Sequence, residues 1–252
     1  MTDHGHDQIR LFCLAYAGGS ARMFTDWAKD LPAWIEPVPL ELPGRGFRFD
    51  EPASDDLAAV VAGLLARVRP QLDRPYAVFG HSLGALLGYE LIVALQREGR
   101  PALHFFPSGA GAPHLPTRNP APRFDDEQLR SHIAELGGTP PELVANDELM
   151  ELLLPVLRAD FTLADTYRPP PGAALDCPTT AFCGDDDDEA PPVDVLPWRR
   201  HVHAPFTVRL LRGGHFFLDS ARRDLLALIV SALCPRCAQS LETSTLRGIA
   251  TP

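Results

Sequence analysis

Residues 76–95 read "YAVFGHSLGALLGYELIVAL". The run 76–80 is short, apolar and aromatic, as a buried strand requires. Residues 85–98 carry apolar side chains at helical spacing, with Gly99 as a C-terminal stop. Between them lies Gly80-His81-Ser82-Leu83-Gly84, a G-x-S-x-G pattern. Three fixed positions in five match many unrelated chains; the flanking elements sharpen the match. Strand, sharp turn, helix is the arrangement that exposes a serine hydroxyl at the end of a sheet. Glycines two before and two after the serine permit the close backbone approaches of such a turn. The helix N-terminus presents N–H groups and a positive dipole end to a developing oxyanion. The alternative is a purely structural strand-to-helix turn. Gly88 reads as a packing position on the helix, outside the chemistry.

Outward from this stretch, short apolar runs alternate with helical patterns. Strand-like runs occupy 9–16, 36–42, 76–80, 102–109, 177–184 and 206–213, and helical patterns 54–68, 85–98 and 220–233. This alternation predicts a mostly parallel sheet. A length of 252 residues fits one α/β domain with an insertion. Residues 115–171 break the rhythm. They begin and end in "PHLPTRNPAP" and "YRPPPG", and they hold two helical patterns, 125–136 and 147–165. In the second, Leu149, Leu153, Val156, Leu157 and Phe161 are expected on one face, and Pro155 is expected to bend it. We read 1–114 and 172–234 as the core, 115–171 as an inserted helical cap and 235–252 as a flexible tail. Two ordinary surface helices packed on the sheet are the other reading of the insertion.

Apolar residues make up 45% of the chain, enough for a sizeable core. The formal net charge of −10 argues against a nucleic-acid binder, which is usually basic. No apolar run approaches the ~18–20 residues that span a bilayer. The first residues show no basic region followed by a long apolar one. A soluble, cytoplasmic protein without membrane attachment is expected. Cys13, Cys177 and Cys183 sit in strand-like contexts and read as buried thiols. Cys234 and Cys237 form a single C-x-x-C, weak as a zinc or redox signal without a second pair.

A serine hydroxyl needs a general base, and the base needs an orienting acid. On a strand–G-x-S-x-G–helix scaffold the chain order is serine, acid, histidine. "FTVRLLRGGHFFL" ends a strand-like run at Gly213-Gly214-His215, where two glycines leave room to turn the imidazole inward. His215 is the candidate base. His81 adjoins the serine and cannot easily fold back on it. His104 falls in a strand, and His201 and His203 are expected on a helix. The acid is ambiguous, because Asp185, Asp186, Asp187, Asp188 and Glu189 all follow the strand 177–184. This run lacks the spaced ligands and turn glycine of a calcium loop, and no metal site is expected.

Taken in order, "AYAGGSARMF", "ELPGRGFR", "FGHSLG", "DCPTTAFCGDDD", "PWRRHV" and "RLLRGGHFFL" resemble the type II, or editing, thioesterases of polyketide and nonribosomal peptide synthesis. The resemblance covers 9–233. It implies an α/β-hydrolase fold with a helical lid at 115–171. It also implies the acid: the family's G-x-x-D places it at Asp187, with Asp186 or Asp188 open because Asp188 stands where proline is frequent. The oxyanion hole is implied at the backbone N–H groups of Leu83 and Ala17, with Tyr16 the alternative to Ala17. The implied activity is hydrolysis of acyl thioesters on the phosphopantetheine arm of acyl or peptidyl carrier proteins, by a monomer that needs no cofactor of its own. Carrier proteins are usually acidic, and so is this chain. Docking then needs a local basic patch, for which Arg45, Arg48, Arg199, Arg200 and Arg212 are candidates. Two rivals are a carboxylesterase or lipase with the same triad, and a non-catalytic hydrolase-fold binding protein.

Overall fold

Each of the six strand-like runs overlaps a strand: β1 Ile9–Leu14, β2 Ile35–Pro39, β3 Tyr76–His81, β4 His104–Ser108, β5 Thr179–Gly184 and β6 Phe206–Leu211, with β2 starting one residue before its run and β3 ending one residue past it. They form one sheet in the order β2-β1-β3-β4-β5-β6, and every pairing is parallel. The computed structural model describes residues 8–117 and 124–234. The tail 235–252 and Cys237 of the C-x-x-C pair lie outside them.

The inner strands are buried on both faces because helices cover both, while the edge strand β6 leaves Thr207, Arg209 and Leu210 exposed. Alternate residues divide between two cores. Phe12, Leu14, Val78, Phe105, Ala181 and Cys183 face one side; Leu11, Cys13, Ala77, Phe79, Phe106 and Phe182 face the other. Nine α-helices occur among the described residues. They are α1 Trp27–Asp30, α2 Leu57–Val68, α3 Leu83–Arg97, α4 Asp126–Leu136, α5 Pro141–Val144, α6 Asp147–Thr166, α7 Pro192–Val195, α8 Phe217–Ser220 and α9 Arg222–Leu233. α2 and α3 pack on the first core, α9 on the second. None is long and apolar enough to cross a membrane.

Chain order reverses beside β1: the chain leaves β1 for β2 on one side and returns to β3 on the other. At such a switch point the loops leaving the two strands diverge and open a crevice at their C-terminal ends. Ala17 follows β1 and Ser82 follows β3, so both sit at this crevice.

The segment between β4 and β5 is helical, with α4, α5 and α6. Asp125 and Gln128 form a reciprocal capping box on α4, which ends at Gly137 with φ +77°. Asn146 caps α6. Leu129, Ile133, Met150 and Leu157 make a small separate core between α4 and α6. The far end of α6 joins the main core through Leu163 and Tyr167, whose hydroxyl donates to Glu90 on α3 at 2.6 Å.

Two expectations about α6 change. Leu149 is exposed, while its neighbour Met150 is the first-turn residue that enters the small core. Asp160, a charged residue, is buried on the face predicted to be aliphatic. The helix also continues through Pro155. α3 begins at Leu83, two residues ahead of the predicted start, since the turn is completed at Ser82 alone. His201 closes a 3-10 turn, and His203 lies beyond it rather than on a helix.

Candidate active site

Ser82 separates β3 from α3 by a single residue. Its φ of +54° and ψ of −117° make it the one non-glycine residue with positive φ among those described. Such a conformation costs about 1–3 kcal/mol and persists where the surroundings impose it. Here glycines impose it. A Cβ on Gly80 would stand 2.0 Å from the Gly84 carbonyl oxygen, and one on Gly84 2.3 Å from that of Leu14. The Ser82 N–H donates to the Ser108 carbonyl at 2.8 Å, which ties the turn to the end of β4.

Two backbone amides face the same crevice. Leu83 opens α3, so its N–H has no intrahelical acceptor. The loop after β1 turns at Tyr16–Gly19, where the Gly19 N–H donates to the Tyr16 carbonyl at 2.9 Å. Gly18 has φ +75°, suited to the third position of a type II turn. Its N–H is taken by the Asp160 carboxylate at 2.7 Å. The N–H groups of Ala17 and Leu83 have no acceptor among the described residues, and both residues line the pocket that holds Ser82.

The third wall comes from the loops after β5 and β6. His215 Nδ1 lies 3.1 Å from both carboxylate oxygens of Asp187. Of the five consecutive acids only Asp187 is buried; Asp185, Asp186 and Asp188 are exposed and Glu189 half-buried. Burial raises the Asp187 pKa, but the hydrogen bond and charge of His215, helped by the Ala190 N–H, outweigh it. The net shift is downward. Asp187 Oδ1 also accepts the N–H groups of Glu189 and Ala190, each at 3.0 Å. Asp185 ties the two loops together, because its carboxylate accepts the Gly213 N–H at 2.8 Å. Gly213 has φ +124°, and a Cβ on Gly184 would stand 2.2 Å from the Gly213 carbonyl oxygen.

The pocket is lined by Ser82, Ala17, Leu83 and His215, and by Tyr16 and Phe216. The helical segment contributes Leu136, Phe161 and Ala164 to it. His81 is fully buried beneath the site, its Nδ1 2.9 Å from the Ser108 hydroxyl and its ring 5.2 Å from that of His215. His104 pairs with the Thr180 hydroxyl inside the sheet at 2.9 Å. His201 meets His114 at 2.8 Å, away from Ser82, and His203 is exposed. Among the described residues no group of three or more His, Cys, Asp or Glu side chains is placed to hold a metal ion.

The expected basic patch needs correction. Arg45 is buried and makes a two-pronged ion pair with Asp160, at 2.5 and 2.8 Å, so it is no surface cation. Arg48 is likewise engaged, by Glu51 at 2.6 and 2.5 Å. Arg199, Arg200 and Arg212 are exposed. Sequence reasoning missed Asp160 and Asp185. The first looked like one polar residue among many on a lid helix, and the second like a solvated member of an acidic run.

A family model for the thioesterase domain matches residues 9–233. Linear gramicidin dehydrogenase LgrE of Brevibacillus parabrevis is 40% identical over 231 residues, spanning 90% of this chain and 88% of that protein. Among solved structures, the RedJ thioesterase from the prodiginine pathway of Streptomyces coelicolor is 38% identical with a TM-score of 0.85, and the match spans 92% of both chains. The type II thioesterase BorB from the borrelidin cluster is 33% identical with a TM-score of 0.83, spanning 93% of this chain and 96% of that one.

Proposed function

The chain belongs to the thioesterase family and is a thioester hydrolase, and from that premise we propose that it clears acyl groups from the phosphopantetheine arm of carrier proteins. The setting is the editing of polyketide or nonribosomal peptide synthesis, as the pathways of its relatives suggest. LgrE carries a dehydrogenase's name, but the groups meeting at this pocket are those of acyl transfer.

Ser82 attacks the thioester carbonyl while His215 takes its proton. Asp187 holds the imidazole by its Nδ1 and stabilises the imidazolium. The N–H groups of Leu83 and Ala17 receive the oxyanion; loss of one such donor typically costs ~3–4 kcal/mol. His215 then protonates the departing thiolate. Water, activated by the same imidazole, cleaves the acyl-enzyme. These steps use only side chains, backbone amides and water. The single observation that carries the reading is the strained Ser82 turn opening into the pocket lined by His215, itself held by buried Asp187. The helical segment 124–167 acts as the lid, supported by its contribution of Leu136 and Phe161 to the pocket.

The test is Ser82→Ala together with labelling by a fluorophosphonate. We expect a folded protein whose kcat falls by ~10⁴–10⁶-fold and which no longer labels. Retained turnover rejects the assignment. Comparing a thioester with its matched oxygen ester separates this reading from that of a carboxylesterase. Comparing carrier-bound acyl groups with the same acyl group on a small thiol tests the carrier; equal efficiencies count against it.

A further inference from the structure

The loop that carries the Ala17 N–H is held from outside the sheet, and by charge. Asp160 lies on α6, 2% exposed. Its Oδ2 accepts the Gly18 N–H at 2.7 Å and Arg45 Nη1 at 2.5 Å, while Oδ1 accepts Arg45 Nη2 at 2.8 Å. Arg45, 6% exposed, donates in turn to the Gly19 carbonyl at 3.3 Å and to the Pro43 carbonyl. Leu157, one turn earlier on α6, rests on Gly18 closely enough that a Cβ there would meet its Cδ2 at 2.4 Å. One face of α6 therefore grips the Tyr16–Gly19 turn by an amide, by a carbonyl through Arg45, and by an apolar contact.

A buried ion pair is a poor source of net stability, because desolvation offsets most of its attraction. What this pair does supply is geometry. The Ala17 N–H belongs to the Tyr16–Ala17 peptide, whose carbonyl accepts the Gly19 N–H at 2.9 Å and so closes the turn. The geometry points to Asp160 as a positioning residue for the oxyanion hole: with Arg45 it holds Gly18 and Gly19, keeps that closing bond in register and so fixes the peptide that carries the Ala17 N–H. Because Asp160 rides on α6, the hole is complete only while α6 is seated. A substrate that displaces α6 meets an enzyme whose serine is intact and whose oxyanion site is not. This inference rests on the assignment of Ser82 and Ala17 made above.

The test compares Asp160→Leu, Asp160→Asn and Arg45→Met with the parent and with Ser82→Ala, using an acyl thioester of a small thiol. Misplacing an oxyanion donor predicts a fall in kcat of ~10–100-fold, since displacements of about 1 Å cost up to 10²-fold. KM stays within about threefold, because the ground-state carbonyl gains little from the hole. Affinity for an alkyl boronic acid, whose serine adduct mimics the tetrahedral intermediate, falls by the same factor as kcat. Asp160→Asn keeps an oxygen for the Gly18 N–H and restores part of both. Should Asp160→Leu fail to fold, Asp160→Asn and Arg45→Met carry the comparison. Parent-like kcat and boronate affinity in these variants, or a rise in KM alone, overturns the inference while inert Ser82→Ala leaves the nucleophile standing. An active Ser82→Ala overturns the underlying assignment instead.

Discussion

The two sides of the crevice at the sheet's switch point are built in opposite ways. The turn after β3 is made from its own neighbours: Gly80, Ser82 and Gly84 lie within five residues, and the amide of Leu83 is free because α3 starts there. The turn after β1 is held by residues far along the chain, Asp160 and Arg45, which are 142 and 26 positions away from the backbone groups they bind. The first is rigid whatever the helical segment does. The second depends on that segment. On the assignment proposed above, a hydrolase assembled this way keeps its nucleophile poised and makes its electrostatic stabilisation conditional on packing.

That contrast is open to several tests. The largest effect on rate outside Ser82 itself is expected at Asp187, whose proposed role is to hold the base for the locally built nucleophile. Asp187→Asn should lower kcat about 10³–10⁴-fold. Asp188→Asn, on an exposed neighbour, should stay within about twofold. Equal losses in the two would show that the acidic run acts as a field rather than through one residue.

Next come the glycines. Gly84→Ala forces a Cβ against the Leu14 carbonyl, which is backbone and cannot step aside. A loss of more than about 3 kcal/mol is expected in denaturant unfolding. Gly18→Ala strains only a positive-φ turn and presses on the flexible end of Leu157. It should cost about 1–2 kcal/mol and roughly tenfold in kcat, read by unfolding and by steady-state kinetics. If Gly84→Ala proves the milder of the two, the difference between the turns is wrong.

The smallest effect on rate comes from a residue that touches neither turn. Burial pushes His104 down to about 4 from its ordinary value near 6.5. Between those pH values the unfolded chain binds the proton and the folded one does not, so stability falls as pH drops through that window. On the order of 2 kcal/mol is lost to this group between pH 7 and pH 5. His104→Gln should flatten that part of the slope, measured by denaturant unfolding at the two pH values, without altering kcat at pH 7. A changed kcat would show the site to be less insulated from the sheet than its contacts imply.

The same contrast explains what could be read from the sequence. The α/β architecture and the serine turn rest on neighbours in the chain: short apolar runs, helical spacing and glycines at fixed offsets. Each of the six strand-like runs overlaps a strand for that reason. Asp187 was separable from its neighbours only by resemblance, since strand spacing leaves five acids equivalent; burial tells them apart, and burial is tertiary. Arg45 read as a surface cation because nothing near it in sequence is its partner. The partner, Asp160, sits on a helix whose expected buried face, Leu149, Leu153, Val156, Leu157 and Phe161, was wholly apolar. Charge buried across 115 residues leaves no periodic trace.

His81, directly beneath the site, bears on where protons can rest. Burial, aided by the repulsion of His215, lowers its pKa to about 3. Two imidazoles therefore stand 5.2 Å apart, and the lower one is neutral near neutral pH. The lower ring serves as an uncharged floor: it adds no second positive charge beneath the proposed base and offers no resting place for a proton within the sheet.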